Sequence, residues 1–160
     1  METRYMPTRE ALLDFAARMP ELNAQAVEVL ILFMRTAERV QHRIFDVLDK
    51  KYRLSEGKLV VMIALYQSDE PLAPSELAYR AGVTRATISA MIRRMERDGL
   101  VTLLPDADDR RGKLVQLTER GRTFMDEVLP GHFMRTAQLV SNFTPEEQQT
   151  LARLLQKLGQ

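Results

Sequence analysis

The run TRATISAMIRRMERD (residues 84–98) followed by GLVTLLPDADDRRGKLVQLT (residues 99–118) changes its hydrophobic period at Gly99. Before the glycine, Ile88, Met91, Ile92 and Met95 recur at three- and four-residue steps and fall in one quadrant of a helical wheel, with Ala86, Ala90, Arg93 and Arg97 opposite them. Thr84 is placed to cap this helix, and Thr87, Ser89 and Arg94 flank its outer face. After the glycine, Leu100 to Leu104 and Lys113 to Leu117 are short extended runs separated by the polar, turn-forming PDADDRRG, which reads as a β-hairpin with a charged tip.

Upstream, Ser55 can cap a helix predicted to reach Gln67 with Leu59, Met62 or Ile63, and Tyr66 on its buried side. DEPLAP then turns, Pro74 suits the first position of a short helix, and Gly82 suits a turn that needs positive φ. Two short helices joined by about three residues containing glycine make a helix-turn-helix. Ala73 occupies the cap position before Pro74, where a Ser or Thr would add a side-chain bond of about 1 kcal/mol.

The flanks are helical. Leu12, Phe15 and Ala16 share a face between Pro7 and Pro20. From Glu21 to Lys51 apolar residues recur with helical spacing and without Gly or Pro. Arg35, Arg39 and Arg43 form a row on that helix that reads as a solvated face. Thr118 caps a helix that Pro130-Gly131 is expected to kink or break. Thr144, Pro145 and Glu147 mark the start of a last helix striped with Leu151, Leu154, Leu155 and Leu158. The expected fold is mainly α, with residues 1–52 and 119–160 as terminal helical regions around a unit at 53–118. Apolar stripes this long in so small a chain point to a core shared by two copies.

Composition limits the chemistry. The chain has 160 residues, 23 Lys and Arg against 22 Asp and Glu, no cysteine and two histidines. Disulfides, thiolate metal sites and cysteine nucleophiles are thereby excluded. With no glycine-rich phosphate loop and no paired ligands at metal spacing, little remains to build an active site, so an enzyme is not expected and no cofactor is implied. The N-terminus has no secretory apolar core and no run approaches a membrane span, which makes a cytoplasmic address the expectation.

Net charge is only +1, yet Arg80, Arg85, Arg93, Arg94 and Arg97 face a single acid, Glu96, between positions 80 and 97. A concentrated basic patch is what attraction to phosphate requires. Small residues let the helix approach base edges in a major groove, hydroxyls bond bases or phosphates, and arginine grips guanine or phosphate oxygens. A guanidinium on a narrow hairpin tip can enter a minor groove. Asp108 and Asp109 read as turn residues rather than catalytic carboxylates.

Ala78, Gly82-Val83, Thr84, Ile88 and Met91, followed by Gly99, Val101, Asp106, Asp109-Arg110-Arg111, Leu117-Thr118 and Gly121, resemble the winged helix-turn-helix of the MarR family of bacterial regulators. The likeness covers about Ser55 to Arg122, and its most specific part is the D-R-R wing followed by L-T-x-x-G. The Glu127-Val128-Leu129-Pro130 segment and the final helix are also similar to EmrR-type members, which respond to hydrophobic drugs and phenolic compounds.

The resemblance implies a homodimeric regulator, a repressor acting on a pseudo-palindromic double-stranded DNA operator. Its recognition helix would be Thr84 to Arg97, with Thr84, Arg85, Thr87, Ser89, Arg93, Arg94 and Arg97 at the DNA and Arg110 and Arg111 in the wing. Ala90 stands where the family often carries a polar or basic base-reading residue. The resemblance also implies an effector pocket for a small aromatic or phenolic ligand, here lined by His42, Met62 and Tyr66, for which plain core packing is the competing explanation. A winged-helix module that binds an acidic protein and never DNA remains an alternative at this point.

Overall fold

The computed structural model describes residues 7–106 and 112–160. In chain order its elements are α1 (Arg9–Arg18), α2 (Ala24–Tyr52), α3 (Glu56–Tyr66), α4 (Pro74–Arg80), α5 (Arg85–Arg97), β1 (Val101–Pro105), β2 (Lys113–Leu117), α6 (Glu119–Gln138) and α7 (Pro145–Leu158). Two compact units divide the chain at the Asp46/Val47 boundary.

The first unit holds α1 and most of α2. Thr8 Oγ1 accepts from the Ala11 amide at 3.2 Å, and Arg9 pairs with Glu28 across the unit at 3.5 Å. α2 begins after Asn23, whose Oδ1 accepts from the Ala26 amide at 2.9 Å, so the helix starts three residues later than apolar periodicity alone predicts.

The second unit opens with the end of α2. Arg53 takes a φ of 53° there, and the Leu54 amide returns to the Leu48 carbonyl at 3.2 Å. This is a left-handed helix stop of the kind glycine usually supplies, and it drops Leu54 into the core at 1% exposure.

α3 lies at the centre of this unit. Leu59, Val61, Met62, Ala64 and Leu65 are all buried, because α4, α6 and β2 pack around the helix. A helix covered on several sides is apolar nearly all round, so its sequence shows no single inward stripe. Leu77, Ile88, Met95, Val101, Val115, Met125 and Val128 complete a core closed to solvent.

The hairpin is antiparallel, with Val101 opposite Leu117 and Pro105 opposite Lys113. Leu72, inside the DEPLAP segment read as a turn, bridges Val115 through reciprocal backbone bonds of 2.9 and 2.8 Å. The segment therefore adds one residue of sheet to the hairpin.

α6 runs unbroken from Glu119 to Gln138 with Pro130 inside it, correcting the expected break. Proline removes the bond to the Asp126 carbonyl, but buried Met125, Val128 and Leu129 before it and His132 after it hold both halves against the core. α7 carries the predicted capping box, with the Glu147 amide donating to Thr144 Oγ1 and the Thr144 amide to Glu147 Oε2. It buries no residue, and Leu151, Leu154, Leu155 and Leu158 are 38–56% exposed. Among the described residues no helix is long and apolar enough to cross a membrane.

Candidate nucleic-acid interface

α4 and α5 meet through a tight turn in which the Gly82 amide donates to the Tyr79 carbonyl at 3.1 Å and the Val83 amide to the Ala78 carbonyl at 3.0 Å. Gly82 sits at φ 62°, and a Cβ there would meet nothing within 4 Å, so the requirement is backbone conformation rather than space. Ile88, Ile92 and Met95 are buried and anchor α5. The opposite face, with Thr84, Arg85, Ala86, Thr87, Arg93, Arg94 and Arg97, is exposed, while Ser89 and Ala90 are half-buried.

The hydroxyls serve the helix first. Thr84 Oγ1 accepts from the Thr87 amide at 3.2 Å and lies 2.9 Å from Thr87 Oγ1. Ser89 donates to the Arg85 carbonyl at 2.8 Å. In this arrangement Ser89 has spent its proton and offers lone pairs only, which suit the amino groups of adenine or cytosine and not a phosphate oxygen.

The arginines divide into two sets. Arg80 is held by Glu76 at 2.7 Å, and Arg97 Nε lies 3.8 Å from Asp98. Among the described residues Arg85, Arg93 and Arg94 have no ion-pair partner. The unneutralised charge therefore lies along the exposed face of α5 and is smaller than a count of arginines suggests.

Tyr79, on α4 beside the turn, is 84% exposed. The sequence does not mark it as a site residue. Its only signal is that it falls off the face of Leu77 and Ala78, which are buried.

The hairpin base is tied to the end of α5. Thr118 Oγ1 donates to the Gly99 carbonyl at 2.7 Å and accepts from the Gly121 amide at 2.9 Å. The Asp106 amide reaches the Gly112 carbonyl at 3.2 Å, so the strands remain paired up to the tip. The wing arginines Arg110 and Arg111 lie outside the described residues.

The three residues assigned to an effector pocket have different settings. Met62 is fully buried in the second unit. Tyr66 is half-buried, donates to Asp126 at 2.5 Å and has the Arg122 guanidinium 5.8 Å from its ring centroid. Its hydroxyl is pushed above the usual tyrosine range by the bond to Asp126 and that residue's charge. His42 is exposed in the first unit and borders a shallow depression with Arg43 and Asp46. Among the described residues no group of three His, Asp or Glu is arranged to hold a metal ion.

A helix pair joined by a glycine turn, an outward cationic second helix and a hairpin locked to its end define a winged helix-turn-helix. The chain belongs to the MarR family, whose model matches residues 54–113. It is 31% identical over 108 residues to the homoprotocatechuate degradative operon repressor of Escherichia coli, covering 68% of this chain and 72% of that protein. It is 28% identical over 156 residues to the transcriptional repressor YetL of Bacillus subtilis, covering 97% of this chain and 93% of the relative. The structure of Sco3205, a MarR family transcriptional regulator from Streptomyces coelicolor solved in complex with DNA, superposes with a TM-score of 0.78 at 25% identity, over 86% of this chain and 88% of that one. These relatives are regulators or repressors of transcription.

Proposed function

We propose that this chain acts as a homodimer that binds a pseudo-palindromic double-stranded DNA operator and regulates transcription, as a repressor. The observation that carries the reading is the division of α5 into an anchored face, Ile88, Ile92 and Met95, and an outward face whose Arg85, Arg93 and Arg94 have no acidic partner among the described residues.

The N-terminal half of α5 enters the major groove, where Thr84, Arg85 and Thr87 face bases or the nearest phosphates and Ser89 faces a base. Arg93, Arg94 and Arg97 follow the backbone, and Arg110 and Arg111 in the wing reach the adjoining minor groove. Tyr79 adds a phenolic donor toward phosphate from α4. The exposed leucine stripe of α7 and the apolar residues of α1 and α2 are the surfaces that a second copy covers, so the regions 1–52 and 119–160 serve assembly and 53–118 serves DNA. Two-fold symmetry then places half-site centres about 10 base pairs apart.

Release by a small hydrophobic or aromatic ligand requires that the ligand prefer a spacing of the two α5 helices unsuited to DNA. His42, Met62 and Tyr66 are the residues assigned to it, and accessible His42 and Tyr66 are the first to test. Titrating labelled operator with wild type and Arg94→Ala, with and without competitor DNA, tests the main reading. Equal shifts by both proteins, or binding that ignores sequence, would refute it.

A further inference from the structure

At the end of α5 remote from its capped N-terminus, the second unit holds a concave site of about 410 Å³ that shares Arg97 alone with the proposed DNA-binding residues. Its polar lining is Arg53, Lys58, Arg97 and Arg120 against one carboxylate, Asp98. Leu54, Leu100, Tyr52 and Phe124 form its apolar wall, the two rings meeting edge-to-face at 6.1 Å. These side chains come from the end of α2, the first turn of α3, the end of α5 and the start of α6, so the cations converge from four separate segments.

Three details mark the site as built for an anion. Asp98 is loosely held, 4.0 Å from Lys58 Nζ and 3.8 Å from Arg97 Nε, which leaves most of the positive charge unanswered. The Arg120 guanidinium is folded back over Gly99, where a Cβ would stand 3.3 Å from its nitrogen. Arg53 keeps a long cationic side chain at φ 53°, a position where glycine is the easier choice, and this side chain lines the cavity. A residue held in an unfavoured backbone region at the rim of a pocket is a candidate for a role in binding.

We propose that this pocket binds a small phosphorylated metabolite carrying at least two negative charges. Four cations against one carboxylate match a diphosphate group better than a single carboxylate. A cavity of this volume also exceeds a diphosphate and leaves the apolar wall for the rest of the molecule. Because Arg97 and Asp98 end α5, the bound anion ties that helix to the first turns of α3 and α6.

The test is calorimetric titration of the full chain with inorganic pyrophosphate at low ionic strength, with benzoate as a singly charged comparison. Arg53→Gly removes one cation while relieving the left-handed strain, so its melting temperature should equal or exceed that of wild type and misfolding cannot explain a loss. We expect one pyrophosphate per chain, affinity lowered about tenfold in Arg53→Gly and in Lys58→Gln, and no change in Arg153→Gln, which removes a charge from α7. Benzoate should bind far more weakly. The proposal fails if Arg53→Gly and Lys58→Gln bind pyrophosphate like wild type, or if benzoate binds as well. It also fails if those two variants weaken duplex DNA binding while leaving pyrophosphate untouched, since the cluster would then be a contact to DNA phosphates. The pyrophosphate measurement involves no DNA, so its failure and that of the operator reading are separable.

Discussion

Gly121 in the first turn of α6 passes so close to Leu100 that a Cβ on it would overlap the Leu100 carbonyl oxygen. The same carbonyl accepts from the Thr118 amide at 3.1 Å, and Thr118 also bonds to Gly99. The segment between α5 and the hairpin is thus fastened to the start of α6 by backbone that leaves no room for a side chain.

Gly121→Ala is therefore expected to destabilise the protein by about 3 kcal/mol, since the obstacle is main chain and cannot rotate away. Gly159→Ala is the matched comparison: its new methyl meets only ordinary contacts at 3.7 Å and beyond, and stability should change by no more than about 0.5 kcal/mol. Thermal unfolding of the pair checks this. Equal melting temperatures would contradict the close approach.

The starts of α5, α6 and α7 were legible because capping is local. Thr84, Thr118 and Thr144 each sit three residues before the amide they bind, and the Thr144–Glu147 box is complete within four residues. Gly82 was legible for the same reason. Features fixed by distant partners were not. α3 hides its role because neighbours cover it on several sides, Leu72 joins the sheet through a single bridge with no alternation to announce it, and buried residues on either side of Pro130 let the helix continue past it without a break. Of the interface, the sequence marked α5 but not Tyr79, and it did not distinguish Arg80, held by Glu76, from Arg85, Arg93 and Arg94, which have no ion-pair partner among the described residues. The anion pocket draws on four segments and has no motif.

His132 is 8% exposed on α6, and burial together with the nearby Arg135 charge holds its pKa below the usual 6.5. The folded protein thus binds fewer protons than the unfolded chain once the pH drops below that usual value. Stability is full above about 6.5 and is lost as pH falls through the lower folded value. The melting temperature should drop by a few degrees, on the order of 2–4 °C per kcal/mol, between pH 7.5 and 5.5. His132→Gln should flatten that segment of the profile; an unchanged slope in the variant would remove His132 as the cause.

The Thr144 capping box should be worth about 1 kcal/mol, so Thr144→Ala should lower stability by that amount and reduce helix content at the C-terminus. Urea unfolding measures the first effect and circular dichroism the second. A loss under about 0.3 kcal/mol would mean that α7 is held by its contacts with a second copy and not by its cap.

Assembly is tested on α7. Leu154, 50% exposed in one chain, belongs to the stripe expected to be covered by a second copy, and Leu154→Glu should convert a sedimenting dimer to a monomer and abolish operator binding with it. A wild-type monomer in sedimentation, or a Leu154→Glu variant that still dimerises, would remove α7 from the interface.

Two arginines separate readout from attraction. Arg94→Ala should weaken operator binding about tenfold, and Arg111→Ala should do the same from the wing. Loss of a phosphate contact should reduce the slope of log affinity against log salt by about 0.9, whereas loss of a base contact should leave the slope and relax preference at one position. Anisotropy titrations at several salt concentrations distinguish these outcomes.

The most direct measurement is selection of bound sequences from a random pool of duplexes by the wild-type protein. The account predicts an enriched pseudo-palindrome whose half-site centres lie about 10 base pairs apart. Enrichment of no sequence, or of a single asymmetric half-site, would contradict it.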